Sequence, residues 1–338
     1  MRKIKMKSPM IKRLALTLSL SLSAVGIAEA ATLKLSHVRP QGTAIDKDAK
    51  WFAESVREAT DGKIKVKIYA ANALGDYTVV QERVSMGAVD MAVQPPASGV
   101  DKRFQIIYMP YMVKDWNDAR KVFAPGSAMR NTVSDLYSKQ DIKVLAAWPV
   151  YFGGIALNRQ VEGAADANID KGIKVRVPPI KTFQLLADNT GYIGSPLPFS
   201  EAFTAVQTGV VDGVIGSGAE GYFASFRDVT KSYVPLNTHF EIWFLVINNE
   251  RFNDLDAKQQ EALSKVSLDF ENRRWVSAQK DQAANENRLA DAGATIVDVS
   301  AEQIAATAKK VRANVWPEIM DDLGRDWAEK VMKDVVTN

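Results

Sequence analysis

The residues that could carry chemistry are few and widely spaced. The two histidines, His37 and His239, lie far apart, and neither sits in an H-x-x-x-H or H-E-x-x-H pattern. The chain has no cysteine, which excludes disulfides, thiol nucleophiles and thiolate-held metals. There is no G-x-S-x-G turn to present a serine. Carboxylates are plentiful but fall mainly on the polar faces of helical segments. No catalytic residue, metal site or cofactor is expected. One motif points the other way: Gly216-Ser217-Gly218-Ala219-Glu220-Gly221 matches G-x-G-x-x-G, follows a strand pattern, and has the acidic Glu241 twenty residues beyond it. The first βαβ units carry no such turn. The preferred reading is a flexible glycine turn at a cleft, where Gly216 and Ser217 leave room for a ligand.

The start of the chain supports that preference. Arg2, Lys3, Lys5, Lys7, Lys12 and Arg13 precede an apolar run from Leu14 to Ile27, and Ala28-Glu29-Ala30 offers a small-x-small cleavage site. This is the form of a secretory signal. Its run is short of the roughly 20 residues that span a bilayer. Residues 1–30 are therefore expected to be removed, leaving a soluble chain exported to the periplasm, where free nicotinamide cofactors are rare. The whole chain carries a net charge of +3. The six basic residues and one acid of the signal account for more than that, so the remainder is near −2. No later segment concentrates Lys and Arg among aromatics, so no nucleic-acid partner is expected.

Any binding residues must be positioned by alternating elements. Short apolar strands at 32–36, 63–69, 89–93, 143–148, 153–157, 173–177, 210–215 and 241–247 alternate with amphipathic helices, including one at 44–60 that carries Ala49, Phe52, Ala53 and Val56 at helical spacing. The pattern predicts α/β layers, and the length predicts two lobes. We expect 31–152 with about 242–270 in the first lobe and 153–241 with about 271–300 in the second. Residues 153–157 are read as a strand crossing between the lobes, and 241–247, strongly apolar and β-branched, as a central strand. An uninterrupted helical pattern from Asp256 to Ala292 would run about 55 Å at 1.5 Å per residue, long enough to brace both lobes. The region 119–137 reads as mostly helical. The segment 301–338 reads as helical, with an interruption at Pro317.

The stretch Gly172-Ile173-Lys174-Val175-Arg176-Val177-Pro178, followed by Pro196-Leu197-Pro198-Phe199-Ser200-Glu201-Ala202-Phe203 and on through Gln207-Thr208-Gly209-Val210-Val211-Asp212-Gly213, resembles the signature of TRAP-transporter solute-binding proteins of the DctP type. Asp61-Gly62-Lys63-Ile64, Ala73-Leu74-Gly75-Asp76, Gly87-Ala88-Val89-Asp90-Met91 and Met109-Pro110-Tyr111 extend the resemblance over nearly the whole exported chain. The resemblance implies a two-lobed periplasmic binding protein fold, with crossing hinge strands and a long bracing helix, that closes over a small organic acid and delivers it to TRAP permease membrane subunits. A monomer is expected. The alternative is an extracytoplasmic ligand sensor that presents the closed form to a membrane receptor.

By the same resemblance, Arg176 pairs with the ligand carboxylate, a role suited to a planar guanidinium in a closed cleft. Phe199 would lie against the ligand's carbon body, and Tyr77 would offer a polar contact. Gln94 and Ser98 follow a strand, at the end where open α/β sheets place ligands. His37, Arg39 and Gln41 sit on the first strand's loop, and Glu241 and Trp243 border the second crossing. Departures from the pattern bear on the ligand. Val214-Ile215-Gly216 stands where many relatives carry Gln-Glu-Asn. Gly153-Gly154 holds no side chain where some sialic-acid binders have a second arginine, and Pro95-Pro96 follows the third strand. The pocket is expected to be more apolar than in those relatives, with a small monocarboxylate, an aromatic or keto acid, or a sulfonate as candidate ligands.

Overall fold

The computed structural model describes residues 30–336, so the basic head and apolar run of the expected signal lie outside the described residues. The first lobe begins with β1 (Ala31–Ser36), α1 (Ala44–Ala59), β2 (Ile64–Tyr69), α2 (Tyr77–Ser85) and β3 (Met91–Gln94). In α1, Ile45, Ala49, Phe52 and Val56 are buried at helical spacing. The helix stops at a turn where Asp61 and Gly62 both take positive φ, which glycine adopts at little cost. A 3-10 turn (Lys102–Tyr108), α3 (Trp116–Val122), α4 (Ala128–Ser138) and β4 (Ile142–Phe152) follow. The stretch read as mostly helical is thus two helices. Pro125-Gly126 breaks it, and Ser127 Oγ caps α4 by accepting from Arg130 N at 3.1 Å.

The second lobe contains β5 (Gly154–Leu157), β6 (Lys174–Val177), α5 (Lys181–Asn189), β7 (Ile193–Pro196), α6 (Phe199–Gln207), β8 (Gly213–Ser217), α7 (Ala219–Phe226) and β9 (Ser232–Val234). The chain then returns through β10 (Phe240–Asn248) and α8 (Asn249–Asn253), runs along α9 (Ala257–Asp291), and ends with β11 (Thr295–Ile296), α10 (Ala301–Leu323) and α11 (Arg325–Val336). Two sheets result, ordered β2-β1-β3-β10-β4 and β11-β9-β5-β8-β6-β7. In the first, β1 is parallel to β2 and β3, while β10 runs antiparallel between β3 and β4.

Three features differ from the sequence expectation. First, β4 continues past Trp148 to Phe152. Glu241 pairs with Tyr151 and Ile242 with Pro149, so Val150 is the extra residue of a bulge. A bulge tolerates proline's missing N–H, and the strand therefore carries through to the crossing at Gly153. Second, the strand after that crossing, β5, pairs only within the second sheet. Third, Pro317 does not interrupt α10. Val311, Val315, Ile319 and Leu323 bury one face of that helix, whereas Pro317 and Ala313, whose carbonyl loses its helical donor, are exposed to water.

The long helix α9 starts with a capping box, in which Asp256 and Gln259 bond each other's backbone N–H at 2.9 Å. It packs on α1 and β4 of the first lobe and on α7 and β11 of the second. Polar groups on α9 seize β4 along its length. Glu271 Oε2 accepts from Ala147 N at 2.7 Å, Arg274 Nε donates to Pro149 O at 2.8 Å, and Gln282 Oε1 accepts from Phe152 N at 2.8 Å. The helix is thereby hydrogen-bonded to the strand that leads into the hinge. Among the described residues, no helix is long and apolar enough to cross a membrane.

Candidate functional site

A narrow cavity lies between the lobes. The first lobe contributes Val38 and Arg39 just past β1, Tyr77 at the start of α2, Pro95 just past β3, and Tyr108 at the end of the 3-10 turn. The second contributes Arg176 on β6, Pro178, Ile180 and Phe183 after it, Phe199 at the start of α6, and Gly216 on β8. Tyr151, Glu241 and Trp243 reach it from the paired strands β4 and β10 at the crossing. The parallel strands of each sheet thus aim their C-terminal ends at one space, the usual ligand position in open α/β sheets.

Arg176 is 1% exposed. Its Nε donates to Leu197 O at 2.8 Å, and its guanidinium sits 5.8 Å from the centre of the Phe199 ring. It forms no ion pair among the described residues. Burial pulls its pKa below the ordinary arginine value, an effect only partly offset by Tyr77 and Asp76. A charge this deep without a direct ion pair is costly, and it faces a cavity. Arg39, also buried, differs in kind. Its Nε donates to Glu220 Oε2 at 3.0 Å, its Nη2 lies 3.4 Å from Ser217 Oγ, and its guanidinium lies near the rings of Phe199 and Trp243 at 4.9 and 5.1 Å. Burial opposes its charge, but Glu220 and other neighbours hold its pKa above the ordinary value. Arg39 is therefore neutralised by a partner on the opposite lobe, and Arg176 is not.

Of the residues singled out from sequence, Arg176, Phe199, Tyr77, Trp243, Glu241, Gly216 and Arg39 line the cavity. Glu241 Oε1 accepts from Trp243 Nε1 at 2.7 Å, and its Oε2 lies 3.3 Å from His239 Nε2. Burial pushes the Tyr77 hydroxyl well above the phenol range, so it remains a donor. Gln94, Ser217 and His37 are buried but stand outside the lining. Gln94 Nε2 donates to Tyr77 O at 2.8 Å, and Ser217 Oγ meets both Arg39 and Tyr151. His37 Nε2 lies 3.5 Å from Asp46 Oδ1, and Asp46 accepts from Gly42 N and Lys50 Nζ, each at 2.7 Å. That group ties down the loop that carries Arg39.

The glycines of the G-x-G-x-x-G segment are explained by close approach. A Cβ on Gly216 would meet the Pro178 ring at 2.5 Å, one on Gly218 the Tyr151 ring at 2.5 Å, and one on Gly221 would collide with Ser217 Oγ and with Arg39 Nη2 at 2.4 Å. They seat the cavity's own side chains rather than leaving space for a ligand. Tyr108, Tyr151, Phe183 and Glu220 were not foreseen. No local pattern marks them, although the G-x-G-x-x-G motif does contain Glu220. Among the described residues, no cluster of three or more His, Asp or Glu could hold a metal.

Comparison with known proteins agrees with this architecture. The chain is 28% identical over 326 residues to the C4-dicarboxylate-binding periplasmic protein DctP of Rhodobacter capsulatus, covering 94% of this chain and 92% of that one. Among solved structures, DctP7 of Bordetella pertussis, which binds pyroglutamic acid, superposes with a TM-score of 0.80 at 21% identity, over 91% of this chain and all of that one. The sugar acid binding protein DctPAm of Advenella mimigardefordensis, in complex with galactonate, gives 0.83 at 19% identity, over 91% and 99%. These two likenesses establish the two-lobed fold. The family model for bacterial extracellular solute-binding protein, family 7, matches residues 35–322. The chain belongs to that family of solute-binding proteins, the DctP family.

Proposed function

We propose that this protein is the periplasmic, monomeric binding subunit of a TRAP transporter, which captures a small organic acid between its lobes and hands it to the permease membrane subunits. The observation that carries the reading is Arg176, a buried guanidinium without an ion-pair partner among the described residues, facing an interlobe cavity. A ligand carboxylate or sulfonate supplies the missing charge. The named relative binds C4-dicarboxylates, and the two structural neighbours hold acids. Tyr77, with its protonated hydroxyl, is a second donor for the same anionic group, and Phe199 and Trp243 cover the carbon body.

Calorimetric titration of the exported chain with a panel of organic acids tests this. At least one acid should bind, and Arg176→Ala should weaken it by on the order of 3–5 kcal/mol, since truncation leaves the anion buried and unpaired. That is a few hundredfold or more in affinity. Binding within about threefold of wild type, roughly 0.6 kcal/mol, would remove Arg176 from the site.

A further inference from the structure

Building on the reading that the cleft closes over an acid at Arg176, we infer that the ligand is a monocarboxylate with a flat aromatic body, rather than a polyhydroxy acid or a dicarboxylate. The polar inventory of the wall is the first support. Among the described residues, the cavity lining contains no Asn, Gln, Asp, Ser, Thr, His or Lys. Its side-chain hydroxyls belong to tyrosines, and two of those are engaged within the protein. Tyr108 donates to Pro96 O at 2.9 Å, and Tyr151 donates to Ser217 Oγ at 3.3 Å. Glu241, the carboxylate of the lining, is already occupied by Trp243 and faces His239. A sugar acid sealed here would bury hydroxyls without partners, and each such group weakens binding by roughly tenfold.

Charge is the second support. Arg39 is balanced by Glu220, which leaves Arg176 as the arginine of the lining with no ion pair among the described residues. One ligand carboxylate neutralises it. A second would be sealed in with Glu241 and, among the described lining residues, without a further free cation, and like charges in a closed cleft repel strongly. The third support is shape. Tyr77, Tyr108, Tyr151, Phe183, Phe199 and Trp243 present rings to this narrow space. Such walls favour stacked and edge-on contacts with another ring.

The test uses the exported chain, unfolded and refolded to strip retained ligand, and titrated with benzoate, phenylacetate, phenylpyruvate, isovalerate, galactonate, glucuronate and succinate. The expected result is that one aromatic acid binds at least roughly a hundredfold more tightly than galactonate, glucuronate or succinate, by two unpaired groups at about tenfold each. It should also bind more tightly than isovalerate. Phe199→Leu, which keeps the bulk but removes the ring, should weaken the aromatic acid more than it weakens isovalerate. If a sugar acid, succinate or isovalerate binds most tightly and Arg176→Ala still abolishes that binding, the aromatic class is wrong while the organic-acid reading stands. If no acid binds, or if Arg176→Ala leaves binding intact, the reading beneath it fails as well.

Discussion

In the proposed role, Arg176 uses the shape of its guanidinium as well as its charge. Nε is engaged by Leu197 O, which fixes the plane and leaves the two terminal nitrogens for a carboxylate. Arg176→Lys keeps the charge but loses the fork, so calorimetry should show an affinity between those of wild type and Arg176→Ala. His37 belongs to the structure of its loop. Burial lowers its pKa against the pull of Asp46, so as the pH drops the unfolded chain takes up a proton at about the ordinary value of 6.5 before the folded chain does. Stability is therefore full above that value and is lost as pH falls below it. Asp46 also has a lowered pKa. Burial opposes this, but its bonds from Gly42 and Lys50 prevail. Its loss has the same sign and begins lower, near 3.8. His37→Gln should flatten the decline in urea midpoint between pH 7.5 and 5.5, and an unchanged slope would assign that decline to other groups. Arg176 and Phe199 were legible in the sequence because they sit in contiguous motifs. Tyr108, Tyr151 and Phe183 were not, since they become cavity walls only when three distant segments converge.

The element that braces both lobes is α9, read correctly to within a residue at each end because its capping box and lack of Pro or Gly are local signals. Its grip on β4 was not readable, because the bulge at Val150 arises from pairing with β10, nearly a hundred residues later. Arg274 holds that bulge. It donates to Pro149 O and Val150 O and lies 4.3 Å from the Trp148 ring. Arg274→Ala leaves two buried carbonyls without these donors, so the unfolding free energy should fall by about 2–3 kcal/mol in denaturant titration. A change under about 0.5 kcal/mol, the range of an ordinary surface substitution, would show that the bulge is held by strand pairing alone. Ligand affinity should fall as well, because Tyr151, a cavity wall, sits next to the bulge on the same strand.

At the scale of the whole molecule, the ion pair between Arg39 and Glu220 joins the loop after β1 to the start of α7, across the cleft. An opening of the lobes would separate it, and closure would desolvate it again. Ligand binding should favour the closed arrangement through Arg176, and small-angle scattering of stripped protein should show a smaller radius of gyration on saturation with the cognate acid. Glu220→Gln weakens the pair without adding bulk. It should enlarge the unliganded radius while leaving saturated protein compact, whereas equal radii in both states for both proteins would argue against lobe closure.

The position of β10 also governs when the chain can fold. The first sheet has β10 as the strand joining β3 to β4, and β10 ends at Asn248, after the whole second-lobe sheet except β11 has been made. Until then β3 and β4 have no partner through which to join, and Trp148 lacks the Trp243 ring that packs against it at 5.4 Å. A nascent chain is thus held back from completing its first lobe by its own topology, because distant pairings must wait for their loops to close. A polypeptide that must pass through a membrane as an extended thread would gain from such a delay. A fragment of residues 31–152 should accordingly remain uncooperative in thermal melts, and should acquire a cooperative transition only once the chain extends through β10 and α9.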